Sequence, residues 1–303
     1  MKKTLFYLAS FCIALAFTAC TSDDGGGNVT PASISDESIV GEALGLTFDD
    51  PDAPYSQATF SETGKAILHS NDAPTAKRRA SATKYIIGEY TLDGNVYTVY
   101  VDGSEYCTVE VTSTTGATTS VKIRQAGEEV FNGSAKIGDK IEADKATTTI
   151  CREWEVVYAG LRHKNGVTAT HMFDNPAEAA SMNAILKYAK SVASIEEYFN
   201  DNMFITSIEF VSDSTFCMYF ANGENYIGKW QWADKSKGII SYNWYEKSMG
   251  NAFESGMVIF DIRQYKQAKY HTFTFVAEIG SGSDSYTVEL SFYMKELNKK
   301  KEK

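Results

Sequence analysis

"GMVIFDIRQY" (256–265), "HTFTFVAEI" (271–279) and "YTVELSFYMK" (286–295) decide the fold. In the first, Val258, Phe260 and Ile262 alternate with Asp261 and Arg263. In the second, Phe273, Phe275, Ala277 and Ile279 alternate with Thr272, Thr274 and Glu278. In the third, Tyr286, Val288, Leu290, Phe292 and Met294 oppose Thr287, Glu289 and Ser291. Successive side chains of a strand point to opposite faces, so a period of two gives each strand one dry face and one wet face. Successive runs of this kind, broken by Gly, Asn and Asp, predict antiparallel strands in a sandwich or a closed barrel.

Upstream, the same signal recurs near 152–159, 203–211, 215–221, 225–232 and 238–245. With 256–265, 270–279 and 285–295 it makes eight strands. One helix interrupts them after the first, in "DNPAEAASMNAILKYAKSVASIEEYFND" (174–201). Asn175 is its N-cap, Pro176 its first helical residue and Glu178 its capping-box acid. Ala179, Met182, Ile185, Leu186, Ala189 and Val192 form its apolar stripe, which should cover a sheet or a barrel mouth.

An internal repeat divides the chain. "ATFSETGKAILHS" (58–70) parallels "IEFVSDSTFCMYF" (208–220), with Phe60 matching Phe210. "YIIGEYTLDG" (85–94) parallels "YIGKWQWADK" (226–235), with Gly88 matching Gly228 and Tyr90 matching Trp230. The first copy carries a longer loop with Lys77, Arg78 and Arg79, read as a solvated basic tip. The expectation is two related β units separated in the polar stretch "EADKATTT" (142–149). The first, 34–147, has fewer clear strands and is expected to be a smaller antiparallel β domain. The second, 148–298, is expected to be the barrel, with 299–303 a charged tail.

The start of the chain is of a different kind. Lys2 and Lys3 precede an uncharged, mostly apolar run from Thr4 to Ala19. As a helix it reaches roughly 24 Å, short of the ~30 Å hydrocarbon core, which favours an export signal over residues 1–19. Phe17, Thr18 and Ala19 before Cys20 resemble a bacterial lipobox, with Phe17 in place of the usual leucine. That resemblance implies lipidation of Cys20 and anchoring by its acyl chains. Residues 20–33 then read as a tether. Ser22, Asp23 and Asp24 resemble the acidic export tag of Bacteroidota lipoproteins, which implies an outer-membrane location facing the cell exterior. An ordinary signal peptide cut near Ala19, and a plain Gly25–Gly27 linker, are the alternatives.

Composition restricts the partners. The 29 basic and 39 acidic residues give a net charge of −10, and removing Lys2 and Lys3 with the signal takes it to −12. Such a surface argues against nucleic acid and anionic lipid headgroups. Beyond Cys12 and Cys20 there remain Cys107, Cys151 and Cys217, with no metal-ligand spacing. Three is odd, so at least one thiol stays free, and buried thiols serve as small hydrophobes.

From Cys151 to Leu297 the chain resembles the lipocalin-like, or calycin, β-barrel domains of Bacteroidota lipoproteins. "CREWEVVY" (151–158) carries Trp154 where a lipocalin has its first-strand tryptophan, at the closed end. Arg152 stands where lipocalins usually have glycine, and Lys295 is the nearest substitute for their arginine late in the last strand. Alternation places Trp154, Phe210, Phe216, Trp230, Tyr242, Trp244, Phe260, Phe275 and Phe292 on inward faces. They are either the lining of a cavity or simply core, since an eight-stranded barrel is filled by its own side chains or holds one small ligand.

No GxSxG, HExxH, P-loop or dinucleotide fingerprint is present, and the expectation is a protein that is not an enzyme and takes no cofactor. The histidines are His69, His163, His171 and His271; the last is expected at the barrel rim, and a His163–His171 metal pair carries little weight. Asp49, Asp50 and Asp52 lack the spacing of an EF-hand and read as a loop. The expected function is non-catalytic binding of a small apolar or partly polar ligand in the barrel. The alternative is a structural or adhesive surface module, as in fimbrillin-like lipoproteins, that meets a protein or a glycan.

Overall fold

The computed structural model describes residues 40–71, 85–165, 167–172, 205–221, 223, 225–244, 256–265, 267–279 and 286–297. The signal and tether, the basic loop and the stretch 174–201 with the expected helix lie outside them. Among the described residues there are seventeen strands, one short α-helix and a 3-10 helix at Lys235–Lys237. Eight strands form a closed antiparallel barrel: β1 (Leu44–Thr47), β2 (Tyr55–Phe60), β3 (Lys65–Ser70), β4 (Tyr85–Asp93), β5 (Val96–Val101), β6 (Ser104–Thr115), β7 (Thr118–Gln125) and β8 (Glu128–Ile137). Pairing of β1 with β8 closes it.

The first unit is therefore a full barrel rather than a smaller sheet, which corrects the sequence reading. Its later strands are rich in Ser and Thr and alternate weakly, so period alone undercounts them. Tight hairpins hold them together. Asp102 and Gly103 both have positive φ between β5 and β6, as do Ala126 and Gly127 between β7 and β8. Two-residue loops of this kind match the right-handed twist of the strands they join. Gly88 on β4 is required by close approach: a Cβ there would lie 2.2 Å from the Tyr100 carbonyl oxygen. Leu46, Ala58, Phe60, Leu68, Val99, Val109, Val121 and Ile123 fill the interior. Phe60 packs against Tyr90 and Tyr97 with ring centroids 5.3 and 4.2 Å apart.

Helix α1 (Lys145–Ile150) follows, capped by the Asp144 carboxylate, which accepts from the Thr147 amide at 2.9 Å. It lies in the stretch read from sequence as a polar boundary. The second sheet contains β9 (Glu153–Asn165), β10 (Val167–Met172), β11 (Ile205–Phe210), β12 (Thr215–Phe220), β13 (Asn225–Asp234), β14 (Ile239–Trp244), β15 (Gly256–Tyr265), β16 (Ala268–Ile279) and β17 (Tyr286–Glu296). β9 pairs with both β11 and β17, so eight of the nine strands close into a second barrel, and β10 adds to the far half of β9. β10 is absent from the sequence reading, which ended the first strand near residue 159. The other strands fall where alternation places them.

Two compact units divide the chain. One comprises residues 34–153 with 209–216 and 296–303; the other contains 154–208 and 217–295. In the first, the β2–β3 turn and the β11–β12 turn have the same backbone form. Ser61 N–H donates to the Lys65 carbonyl and Gly64 N–H to that of Ser61; Val211 N–H donates to Thr215 and Ser214 N–H to Val211. Gly64 and Ser214 occupy matching positions with φ of 86° and 74°. The repeat seen in sequence is thus a repeat of conformation.

Candidate functional site

In the second unit, one face of the strands is a continuous apolar surface. Trp232 stands opposite Ile240, and Ile240 opposite Val258. Val258 is in register with Phe275 and Leu290, and Phe260 with Phe273 and Phe292. Trp154 reaches across this face from β9. Its ring lies 4.7 Å from His271 and 5.7 Å from Phe260, although β16 and β15 are not its neighbours in the sheet. Trp154, Val258, Phe273 and Phe292 on this face are almost wholly buried, which marks it as the apolar core face of the barrel.

The interior residues are tightly covered. Trp154, Trp230, Ile240, Val258, Phe273 and Phe292 are each at most 1% exposed. A side chain lining a water-sized void keeps accessible area, so these six are packed against protein atoms. Tyr242 and Phe260 are half-buried. Burial pushes the Tyr242 phenol up to about 12. Gly256 stands opposite Tyr242 in register. Phe210 and Phe216 are also fully buried, and they pack on one another at 5.2 Å in the unit that holds residues 209–216. Trp244 and Phe275 occupy the expected register positions, and their side chains lie outside the described set. Cys20, Ser22, Asp23 and Asp24 lie outside the described residues altogether.

His271, expected on the apolar face as a hydrogen-bonded rim histidine, is buried against Trp154 and lies parallel to Phe260 at 5.6 Å. Ile262, expected on the dry face, is half exposed near the end of the row. Lys295 does not join Trp154; its ammonium lies 5.8 Å from the Tyr270 ring. Arg152, the departure from the lipocalin glycine, has a role of its own. Its Nη1 donates to Glu296 at 2.7 Å, and both side chains are buried.

The opposite, outward face of β15–β17 departs further from expectation. Alternation predicts a wet surface, yet Thr272 and Thr274 are completely buried. A polar network accounts for their tolerance of burial. The Arg263 Nε donates to both oxygens of Asp261, at 3.1 and 3.0 Å, and its Nη1 to Ser291 at 3.1 Å. The Thr272 hydroxyl donates to Asp261, and Thr274 shares a bond with Ser291. Glu289 adds a second carboxylate 3.6 Å from Arg263.

Beside this network four tyrosines meet. The Tyr158 ring lies 4.9 Å from Tyr265 and 5.5 Å from Tyr270, and Tyr293 lies 5.8 and 6.1 Å from the same two. Tyr265, Tyr270 and Tyr293 have the parity of Asp261 and Thr272, opposite to Phe260 and His271. Strict alternation would put Tyr158 with Trp154. Its ring instead meets Tyr265 on β15 and Tyr270 on β16, strands that do not neighbour β9 in the sheet. Burial, followed by the neighbouring Tyr158 hydroxyl, raises the Tyr270 phenol above its ordinary value. Tyr158 and Tyr265 keep part of their surface open, and Lys295 is exposed. The sequence reading did not find this cluster, because the tyrosines come from four strands and Tyr158 departs from the alternation that pairs it with Trp154.

No protein-family model and no curated protein matches the chain. A solved structure that matches is a double mutant of the vaccine antigen Transferrin Binding Protein B from Haemophilus parasuis Hp5. Identity is 10% and the TM-score 0.21, with 84% of this chain and 44% of that one covered. The chain thus spans less than half the length of that structure.

Proposed function

We propose that this protein is a non-catalytic binding module carried on the cell surface by a lipid on Cys20, and that it meets a protein or glycan partner through the tyrosine face of its second barrel. The tyrosine cluster carries this reading. Tyrosine supplies large, rigid, amphipathic contact area at low entropic cost, and it is enriched where proteins bind partners. Lys295 adds a cation at the edge of the cluster. The near-complete burial of Trp154, Trp230 and Phe292 supports an outward site over a container. Lipidation and outward export rest on the sequence around Cys20 alone.

A second reading keeps a small ligand at the Tyr242 end of the barrel. The half-buried Tyr242, with a glycine opposite and a neutral phenol, favours it. A thermal-shift screen of the purified protein against soluble glycans and lipophilic compounds separates the two. A ligand that binds only the folded state stabilises it by about 2.7 kcal/mol at a hundredfold excess over its dissociation constant. The proposed reading expects shifts with glycans, or none, and no shift with lipophiles. A lipophile shift abolished by Tyr242→Ala would transfer the site to the interior.

A further inference from the structure

Within the unit formed by residues 34–153, 209–216 and 296–303, the β2–β3 turn and the β11–β12 turn bind each other. The Thr59 hydroxyl donates to Asp213 Oδ2 at 2.8 Å, and the Thr63 hydroxyl donates to the Glu209 carboxylate. In the repeat Thr59 matches Glu209 and Thr63 matches Asp213, so each bond joins the first position of one copy to the fifth of the other. Glu62 stands next to Thr63 in the β2–β3 turn. Its Oε1 accepts from the Ser212 amide at 3.1 Å. Its Oε2 is buried and, among the described residues, meets no hydrogen-bond donor.

Hydrogen bonds from the Ser212 side chain, the Glu62 backbone and the Ser212 amide favour the charged form of Glu62, and burial outweighs them. Asp213 acts on Glu62 from the β11–β12 turn, and Glu209 at the end of β11 acts together with Glu62 on Tyr90 and Cys151. From β4, the Tyr90 hydroxyl donates to the Ser61 carbonyl at 2.8 Å. From the α1–β9 junction comes the Cys151 thiol, which burial holds well above its ordinary value. The two cations at this junction are engaged with other carboxylates: Lys65 with Glu153 and Arg152 with Glu296, each at 2.7 Å. A buried carboxylate with one orphan oxygen and an acidic neighbour resists ionisation.

We propose that Glu62 is a proton-operated latch: in its neutral form it holds the 209–216 turn on the 61–65 turn, and loss of its proton loosens that contact. Burial pushes the Glu62 carboxyl up to about 7, so the latch works near neutral pH. The sign follows from linkage. A carboxyl freed from the contact returns towards its ordinary value of 4.5. The proton is then held more tightly in the closed form, so its stabilisation is full below that value and is lost as pH rises towards 7.

Hydrogen exchange of the full chain tests this, with rates corrected for intrinsic pH dependence. Between about pH 5.5 and 8.5, protection of the 211–215 amides should fall about tenfold or more in the wild type. Glu62→Gln, which cannot ionise, should keep the low-pH protection throughout. Equal pH profiles in the two proteins would overturn the latch. Should Glu62→Gln fail to fold, NMR titration of the wild-type Glu62 carboxyl decides alone. An apparent pKa near 7 supports the proposal, and a midpoint at the ordinary carboxylate value overturns it.

Discussion

Trp154 and His271 lie ring to ring, with centroids 4.7 Å apart, and Phe260 lies parallel to the same imidazole at 18°. The three come from β9, β16 and β15, so this contact spans the barrel instead of following one pair of strands. Trp154 is completely buried. Replacing it with alanine opens a cavity that rigid strands cannot close. Trp154→Ala should cost about 3–5 kcal/mol in chemical denaturation. A loss below about 1 kcal/mol would mean that the interior is already loosely filled there.

The matched turns make opposite predictions at equivalent positions. Ser214 has a φ of 74°, a left-handed conformation that favours glycine, and Gly64 has glycine in place at 86°. Ser214→Gly should relieve backbone strain and leave stability unchanged or raised by up to about 1 kcal/mol. Gly64→Ala should lower it, because the backbone is strained and the added Cβ lies 3.0 Å from a Val40 methyl. Melting curves of the two variants check the pair.

Removing the carboxylate of Asp261 should be costly although it lies on the outward face. It accepts both from Arg263 and from the fully buried Thr272 hydroxyl. Asp261→Ala strands both donors and should destabilise by about 1–3 kcal/mol, measured by urea unfolding. Thr272→Val, which removes one partner and keeps the shape, should cost less.

Cys107, Cys151 and Cys217 are buried free thiols. Burial pushes the Cys107 thiol up to about 11. A thiolate is the reactive form, so alkylation should be negligible in the folded protein. Peptide mass spectrometry should find all three modified after denaturation and none before. Rapid labelling of any one in the folded state would contradict its burial.

The strands of the second barrel were legible because Val258, Phe260, Phe273 and Phe292 alternate cleanly with polar residues. β4 to β8 were harder. Runs such as "VTSTTGATTS" (111–120) carry almost no apolar signal. The turn dipeptides Asp93-Gly94 and Asp102-Gly103 mark hairpins that periodicity alone does not count. The tyrosine cluster was illegible for a different reason. Its four residues are spread from 158 to 293, and Tyr158 meets Tyr265 and Tyr270 although strict alternation puts it with Trp154. The burial of Thr272 and Thr274 was hidden too, since composition shows a polar residue but not the Asp261–Arg263 pair that satisfies it.

The most direct measurement compares partner binding by wild type, Tyr265→Ala and Tyr242→Ala. Each variant is first shown to melt cooperatively. Immobilised full-length protein is then titrated with whichever glycan or protein the screen selects. Truncating a central aromatic contact costs about 2 kcal/mol or more, so Tyr265→Ala should weaken binding by about thirtyfold. Tyr242→Ala should bind as the wild type does. The reverse pattern, with binding lost in Tyr242→Ala and kept in Tyr265→Ala, would contradict the account and place the ligand inside the barrel.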